Sequence, residues 1–224
     1  MHTPDSSSSG SLFAVSAQAL PYVGPFALFA LVTVLGPKLG FSPGAVYTAK
    51  TILVGGCLLA CLGSWKDEIR FTFDLPALAG GVAVFVIWVG LEGVAPQLGQ
   101  PQGFNPDELS PGWAPALIAV RLFGAVLVVP VMEELFWRSF ALRFLIDTDF
   151  KRLPLGAFSW FSFLLVSLAF GLEHHRWIPG ILAGLVYAAL LYRTKNLFSP
   201  ILAHGVTNLL LGLYVLGTGE WSFW

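Results

Sequence analysis

Val129-Pro130-Val131-Met132-Glu133-Glu134-Leu135-Phe136-Trp137-Arg138 is the stretch whose reading decides the fold. Two adjacent carboxylates and an arginine stand there in a 224-residue sequence that is 56% hydrophobic and 11% charged. The apolar run around them, residues 114–145, exceeds the length that carries a helix across a bilayer, about 20 residues. A charge at the centre of such a helix costs roughly 2.5–3.5 kcal/mol on insertion scales, so it usually pairs and usually marks function. On a helix, Glu134 and Arg138 are i,i+4 with Glu first, the favourable order for an ion pair. Glu133 is rotated by about 100° from Glu134. It has no basic residue at i±3 or i±4. One carboxylate is thus neutralised locally, and the other is left to act as a base.

Further apolar runs fall at 21–35, 46–64, 76–95, 155–172, 178–192 and 197–216. The expected fold is all-α: a polytopic transmembrane helical bundle of about seven spans. Pro130 is expected to kink the fourth span just before the Glu pair. Residues 1–20 read as a polar N-terminal tail without fixed structure, and 21–224 as a single membrane-embedded domain. The first ten residues carry no Lys or Arg, so they do not resemble the charged start of a cleaved signal peptide. Net charge is −1 and no basic stripe is present, which argues against nucleic acid as a partner. The lipid bilayer is the expected surrounding. Cys57 and Cys61, i,i+4 in an apolar run, read as small core residues before a metal or redox pair.

Polar residues recur inside two later spans. Phe170-Gly171-Leu172-Glu173-His174-His175-Arg176 closes the fifth, with Phe170 and His174 on one face. If that helix continues, Glu173, His174 and His175 point in three directions and cannot share a pocket. His204 and Asn208 are i,i+4 within the seventh span. Each cluster alone reads as interfacial or helix-packing polarity. Together, on three helices, they suggest one intramembrane site lined by Glu133, His174, His204 and Asn208. Such a set suits amide hydrolysis: a carboxylate to take a proton from water, a histidine to orient it, and donors for an oxyanion. There is no His-Glu-x-x-His zinc motif and no Gly-rich phosphate loop. Arg121 and Glu92, inside or near span ends, remain as ambiguous charges, and Asp107 and Glu108 read as solvated loop residues.

These residues resemble the CPBP family of CAAX proteases and bacteriocin-processing enzymes, relatives of the type II CAAX prenyl endopeptidases. Its three motifs, Glu-Glu-x-x-x-Arg, Phe-x-x-x-His and His-x-x-x-Asn, appear as Glu133 to Arg138, Phe170 to His174, and His204 to Asn208. The resemblance covers about 114–216, the protease-like core. It implies an intramembrane glutamate-type endopeptidase without a cofactor, with Glu133 and His174 activating water, and His204 and Asn208 forming the oxyanion site. Glu134, Arg138 and Phe170 take supporting roles. The mechanistic alternative is a zinc enzyme with Glu133, His174 and His204 as ligands. Other readings are a catalytically idle member acting as an immunity or assembly partner, and a proton-coupled transporter, which the lack of visible repeats weakens. The family name implies a prenylated C-terminal peptide as substrate; the alternative expected here is a membrane-anchored or sorted protein or peptide, in a bacterial cytoplasmic (inner) membrane. The C-terminal run from Gly184 looks like a subgroup that accompanies exosortase sorting systems.

A simple topology leaves one conflict. Glu133 and His204 fall in the same half of the bilayer, but His174 ends its span near the other face. A late start of the fifth helix, or a re-entrant break at His174 to Gly180, resolves it.

Lys and Arg placement sets orientation. With the N-terminus cytoplasmic, Lys66, Arg70, Arg143, Lys151, Arg152, Arg193 and Lys195 lie inside, and Lys38, Lys50 and Arg176 outside. Reporter fusions are expected to place the 146–154 loop in the cytoplasm and the 96–113 loop outside. The reverse pattern would invert the topology.

Overall fold

A computed structural model describes residues 7–99, 103–105 and 112–224, with side chains from residue 17 onward. Asp107 and Glu108 lie outside these residues. Among the described residues all regular structure is helical. The helices are α1 (Ser7–Lys38), α2 (Pro43–Ala60), the single turn α3 (Leu62–Trp65) and α4 (Leu75–Gly90). They continue as α5 (Ala114–Phe144), α6 (Trp160–Leu172), α7 (Trp177–Thr194) and α8 (Phe198–Thr218). The backbone is helical from Ser7, within the stretch read as a polar tail. Helix boundaries follow local chemistry. Ser42 caps α2, its side chain accepting from the Ala45 amide at 3.3 Å, with Pro43 in the first turn. Asp74 caps α4 in the same way at Ala77.

Five helices are long and apolar enough to cross a membrane, and the chain is a multi-pass membrane protein. The third and fifth expected spans prove shorter. α4 has 16 residues and α6 only 13, roughly 24 and 20 Å of helix at 1.5 Å per residue. Residues 155–159 do not join α6, because Pro154 and Gly156, at φ 75°, turn the chain first. α6 thus starts late, as one of the two expected arrangements requires, and His174 lines the same cavity as Glu133 and His204. Large apolar side chains such as Leu31, Leu59, Leu164 and Leu213 are exposed along the helices, as lipid-facing residues are.

α5 runs through the middle of the bundle and touches α1, α2, α6, α7 and α8. Its winding changes twice. Gly124–Val128 and Leu135–Ala141 are π-helical, and the short α segment Val129–Glu134 between them carries the Glu pair. Pro130, expected to kink the helix, stands where the first π turn gives way. It has no N–H to give the Val126 carbonyl, so regular α bonding fails there. α6 and α7 pack closely because two glycines meet: a Cβ on Gly180 would lie 2.9 Å from Gly171 Cα.

One end of the bundle gathers the basic residues. Glu68 accepts from Arg143 Nη2 at 3.0 Å, from Lys151 Nζ at 3.1 Å and from Ser139 Oγ. Arg193 donates to Asp74 at 2.6 Å, and Arg70 reaches the Lys195 carbonyl at 3.3 Å. At the other end Arg176 pairs with Glu92 at 2.5 Å, giving the ambiguous acid a partner.

Burial pushes the Glu68 carboxyl up, but Arg143, Ser139 and Lys151 outweigh it and hold the group below the usual carboxylate range. A depressed folded value adds stability that is complete above the unfolded value, about 4.3, and is lost as pH falls through the folded one. Glu68→Gln is therefore expected to lower the melting temperature in detergent at pH 7, with the gap to wild type narrowing below about pH 4. A gap independent of pH would show that Glu68 acts by packing alone.

Candidate active site

The helices surround an open cavity of about 810 Å³ lined by Glu133, Glu173, His174, His204 and Asn208 among others. The four residues expected from sequence to form one site thus share one space, although they come from α5, the α6–α7 turn and α8. Glu134 and Arg138 stand behind the wall, 0% and 1% exposed.

The two carboxylates have different surroundings. Glu134 Oε2 lies 3.0 Å from Arg138 Nε, the i,i+4 pair read from sequence, and its Oε1 accepts from His204 Nδ1 at 3.0 Å. The Arg138 contact is electrostatic, since none of its buried guanidinium nitrogens makes a directed hydrogen bond. The planar group lies over the Phe170 ring at 4.1 Å and near Tyr187 at 5.4 Å. This is the role of Phe170: its face carries the arginine that neutralises Glu134. Glu133 is 7% exposed, and its Oε2 has no hydrogen-bond partner. The nearest cationic candidate is His204 Nε2 at 4.0 Å.

Both histidines are fixed through Nδ1. His174 Nδ1 donates to the Phe170 carbonyl at 2.8 Å, one helical turn back. Its Nε2 is then the unprotonated nitrogen of a neutral ring. His204 gives its Nδ1 proton to Glu134, so its Nε2 carries a proton only in the imidazolium form. Asn208 donates one Nδ2 hydrogen to the Ala125 carbonyl at 2.7 Å, inside the first π turn. The π winding displaces that carbonyl from its regular helical partner, and the second amide hydrogen remains available.

The helix geometry expected for Glu173, His174 and His175 is corrected here. α6 ends at Leu172, so these residues sit in a turn, not on a continuing helix. Glu173 joins His174 beside Glu133, and Trp137 Nε1 donates to Glu173 Oε1 at 3.2 Å. His175 lines the same cavity, so all three residues share it, but its Nδ1 donates to the Leu98 carbonyl at 2.6 Å. The alternative zinc set also changes. Among the described residues, the ligand atoms lying within 4.8 Å of one another belong to Glu133, Glu173 and His174. His204 is not part of that cluster. Cys57 and Cys61 are free thiols.

Two residues escaped the sequence reading. Tyr187 stacks on His204 with ring centroids 5.1 Å apart and 18° between planes. Its hydroxyl donates to Thr207 Oγ1 at 2.8 Å, and Thr207 reaches the Gly81 carbonyl at 2.9 Å. Together they hold the imidazole plane. An aromatic in an apolar helix gives no signal of this, but Thr207, one residue before Asn208, was a polar group on view.

The cavity, within a multi-pass helical bundle, brings together acids, two oriented imidazoles and an amide. Residues 115–210 match the family described as Type II CAAX prenyl endopeptidase Rce1-like. The match covers less than half of the chain, and this segment is similar to that family. No curated protein and no solved structure matches the chain.

The two histidines should separate cleanly in a peptide-cleavage assay. His174→Ala is expected to lose about 10²-fold or more, as general acid–base partners do. His175→Ala is expected to stay within about threefold of wild type, because it bonds a loop carbonyl. The reverse order would move the site to His175.

Proposed function

We propose that the chain is an intramembrane endopeptidase that hydrolyses a peptide bond of a membrane-associated protein with water activated by Glu133. The observation that carries this reading is the division between neighbouring carboxylates: Glu134 is paired with Arg138 and His204, whereas Glu133 lines the cavity and its Oε2 has no hydrogen-bond partner.

The chemistry follows from that division. Water sits between Glu133 and His174, whose Nε2 accepts its hydrogen bond. Glu133 takes a proton as the water oxygen attacks the peptide carbonyl carbon. The developing oxyanion accepts from the second N–H of Asn208 and from Nε2–H of protonated His204. The C–N bond then breaks, and the departing amine takes the proton from Glu133.

The substrate fits the setting: a membrane-anchored or sorted precursor, presented from the lipid side of the bundle. We place the protein in a bacterial cytoplasmic membrane with seven crossings, the short α4 and α6 crossing where the bilayer thins around them. The convergence of Glu133, Glu173 and His174 supports a second reading, in which they hold a divalent metal. Three such donors suit a catalytic zinc, and a ligating histidine commonly donates its other N–H to a carbonyl, as His174 does. Zinc, when bound, would supply Lewis-acid polarisation and a more acidic water.

Glu133→Gln is expected to lower cleavage of a membrane-anchored peptide in detergent by about 10²–10⁴-fold, and wild-type activity is expected to survive exhaustive chelation. Comparable rates in wild type and Glu133→Gln would end the glutamate reading. Loss on chelation with recovery on adding zinc would turn Glu133, Glu173 and His174 into ligands.

A further inference from the structure

Two cations in the cavity have no part in the hydrolytic steps. Lys50, on α2, and Arg121, on α5, line the same space as Glu133. Among the described residues, neither forms a salt bridge with a carboxylate. Their partners are aromatic faces. Lys50 Nζ lies 4.2 Å from the Phe29 centroid and 5.2 Å from Tyr47. Arg121 Cζ lies 4.6 Å from Tyr47, 5.0 Å from Phe104 and 5.2 Å from Trp224. Tyr47 therefore stands against both cations. Its hydroxyl donates to the Arg121 carbonyl at 3.1 Å, and Gly124 gives it room, since a Cβ there would lie 3.0 Å from the hydroxyl oxygen.

Aromatic faces attract a cation without cancelling its charge. Two like charges against one ring repel each other, and the apolar surroundings screen that poorly. An anion between them relieves the repulsion and gains charge-assisted hydrogen bonds. Arg121 precedes Glu133 by twelve residues on α5, roughly 18 Å at 1.5 Å per residue. Lys50 lies within electrostatic reach of both. An extended peptide covers about 3.3–3.6 Å per residue, so an anion held there lies within about five residues of a bond placed at Glu133.

We propose that Lys50 and Arg121 form a subsite for a carboxylate of the substrate peptide, at its C-terminus or on an acidic side chain. The proposal rests on the endopeptidase reading for the word substrate, but the binding it claims can be measured without turnover.

The test uses the full chain in detergent, carrying Glu133→Gln so that no probe is cut. The probes are fluorescein-labelled apolar octapeptides of one sequence, with a free C-terminal carboxylate, a carboxamide, or a carboxamide plus one Asp four residues from the end. Anisotropy is expected to show at least one carboxylate form binding about tenfold or more tightly than the neutral amide, the scale of a charged hydrogen bond. Adding Lys50→Met or Arg121→Met should cut that preference below about threefold and leave the amide's affinity in place. Lys50→Arg should retain it. Equal binding of charged and neutral peptides would overturn the subsite even if the Met variants fail to fold. So would a preference that survives both replacements, or one abolished by phosphatidylglycerol vesicles, which would assign the cations to a lipid headgroup. A preference in this protein alongside wild type that cleaves none of the peptides would keep the subsite and overturn the protease reading.

Discussion

The buried Glu134–Arg138 pair is the constraint on which the rest of this site depends. An uncompensated charge at that depth would cost several kcal/mol, so each partner fixes the other. Arg138 then needs a wall that tolerates a cation without competing for its charge, and the faces of Phe170 and Tyr187 provide it. Glu134 needs a donor for its second oxygen, and His204 supplies Nδ1. Four helices are thereby joined through one ion pair. The orientation of both site imidazoles follows, since Phe170 also offers the carbonyl that fixes His174.

The same constraint separates two chemically identical neighbours. Glu133 and Glu134 are adjacent in sequence, yet a rotation of about 100° sends one to Arg138 and His204 and the other to the cavity. The π turns on either side of them serve this end. They shift the registry of α5 between its contacts with α8 and with α1, and the first exposes the Ala125 carbonyl that holds Asn208. Irregular winding in a membrane helix persists only where the loosened backbone groups find partners, and here a motif residue is the partner.

Much of this was legible in the chain. Spacing alone placed Glu134 against Arg138, His204 with Asn208 on one stripe, and Phe170 one turn before His174. Charge and hydropathy gave a helical membrane bundle. What was not legible depends on where helices stop and how they meet. The 13-residue length of α6 is set by Pro154 and Gly156 upstream and by the close glycine contact with α7. A periodicity argument carried through Leu172 therefore pointed Glu173 the wrong way. Tyr187 was invisible because its partner His204 lies on another helix. Arg121 was read only as an ambiguous charge, whereas its neighbours are aromatic rings.

The account turns on Glu134 being structural and Glu133 being free. Thermal unfolding of Glu133→Gln and Glu134→Gln in the same detergent at neutral pH tests that directly. Glu134→Gln leaves Arg138 buried without a counter-charge and should lower stability by roughly 3–5 kcal/mol, a clear fall in melting temperature. Glu133→Gln should melt at or slightly above the wild-type temperature, because it removes an unpaired buried carboxylate. Equal losses, or a larger loss for Glu133→Gln, would contradict the division of roles.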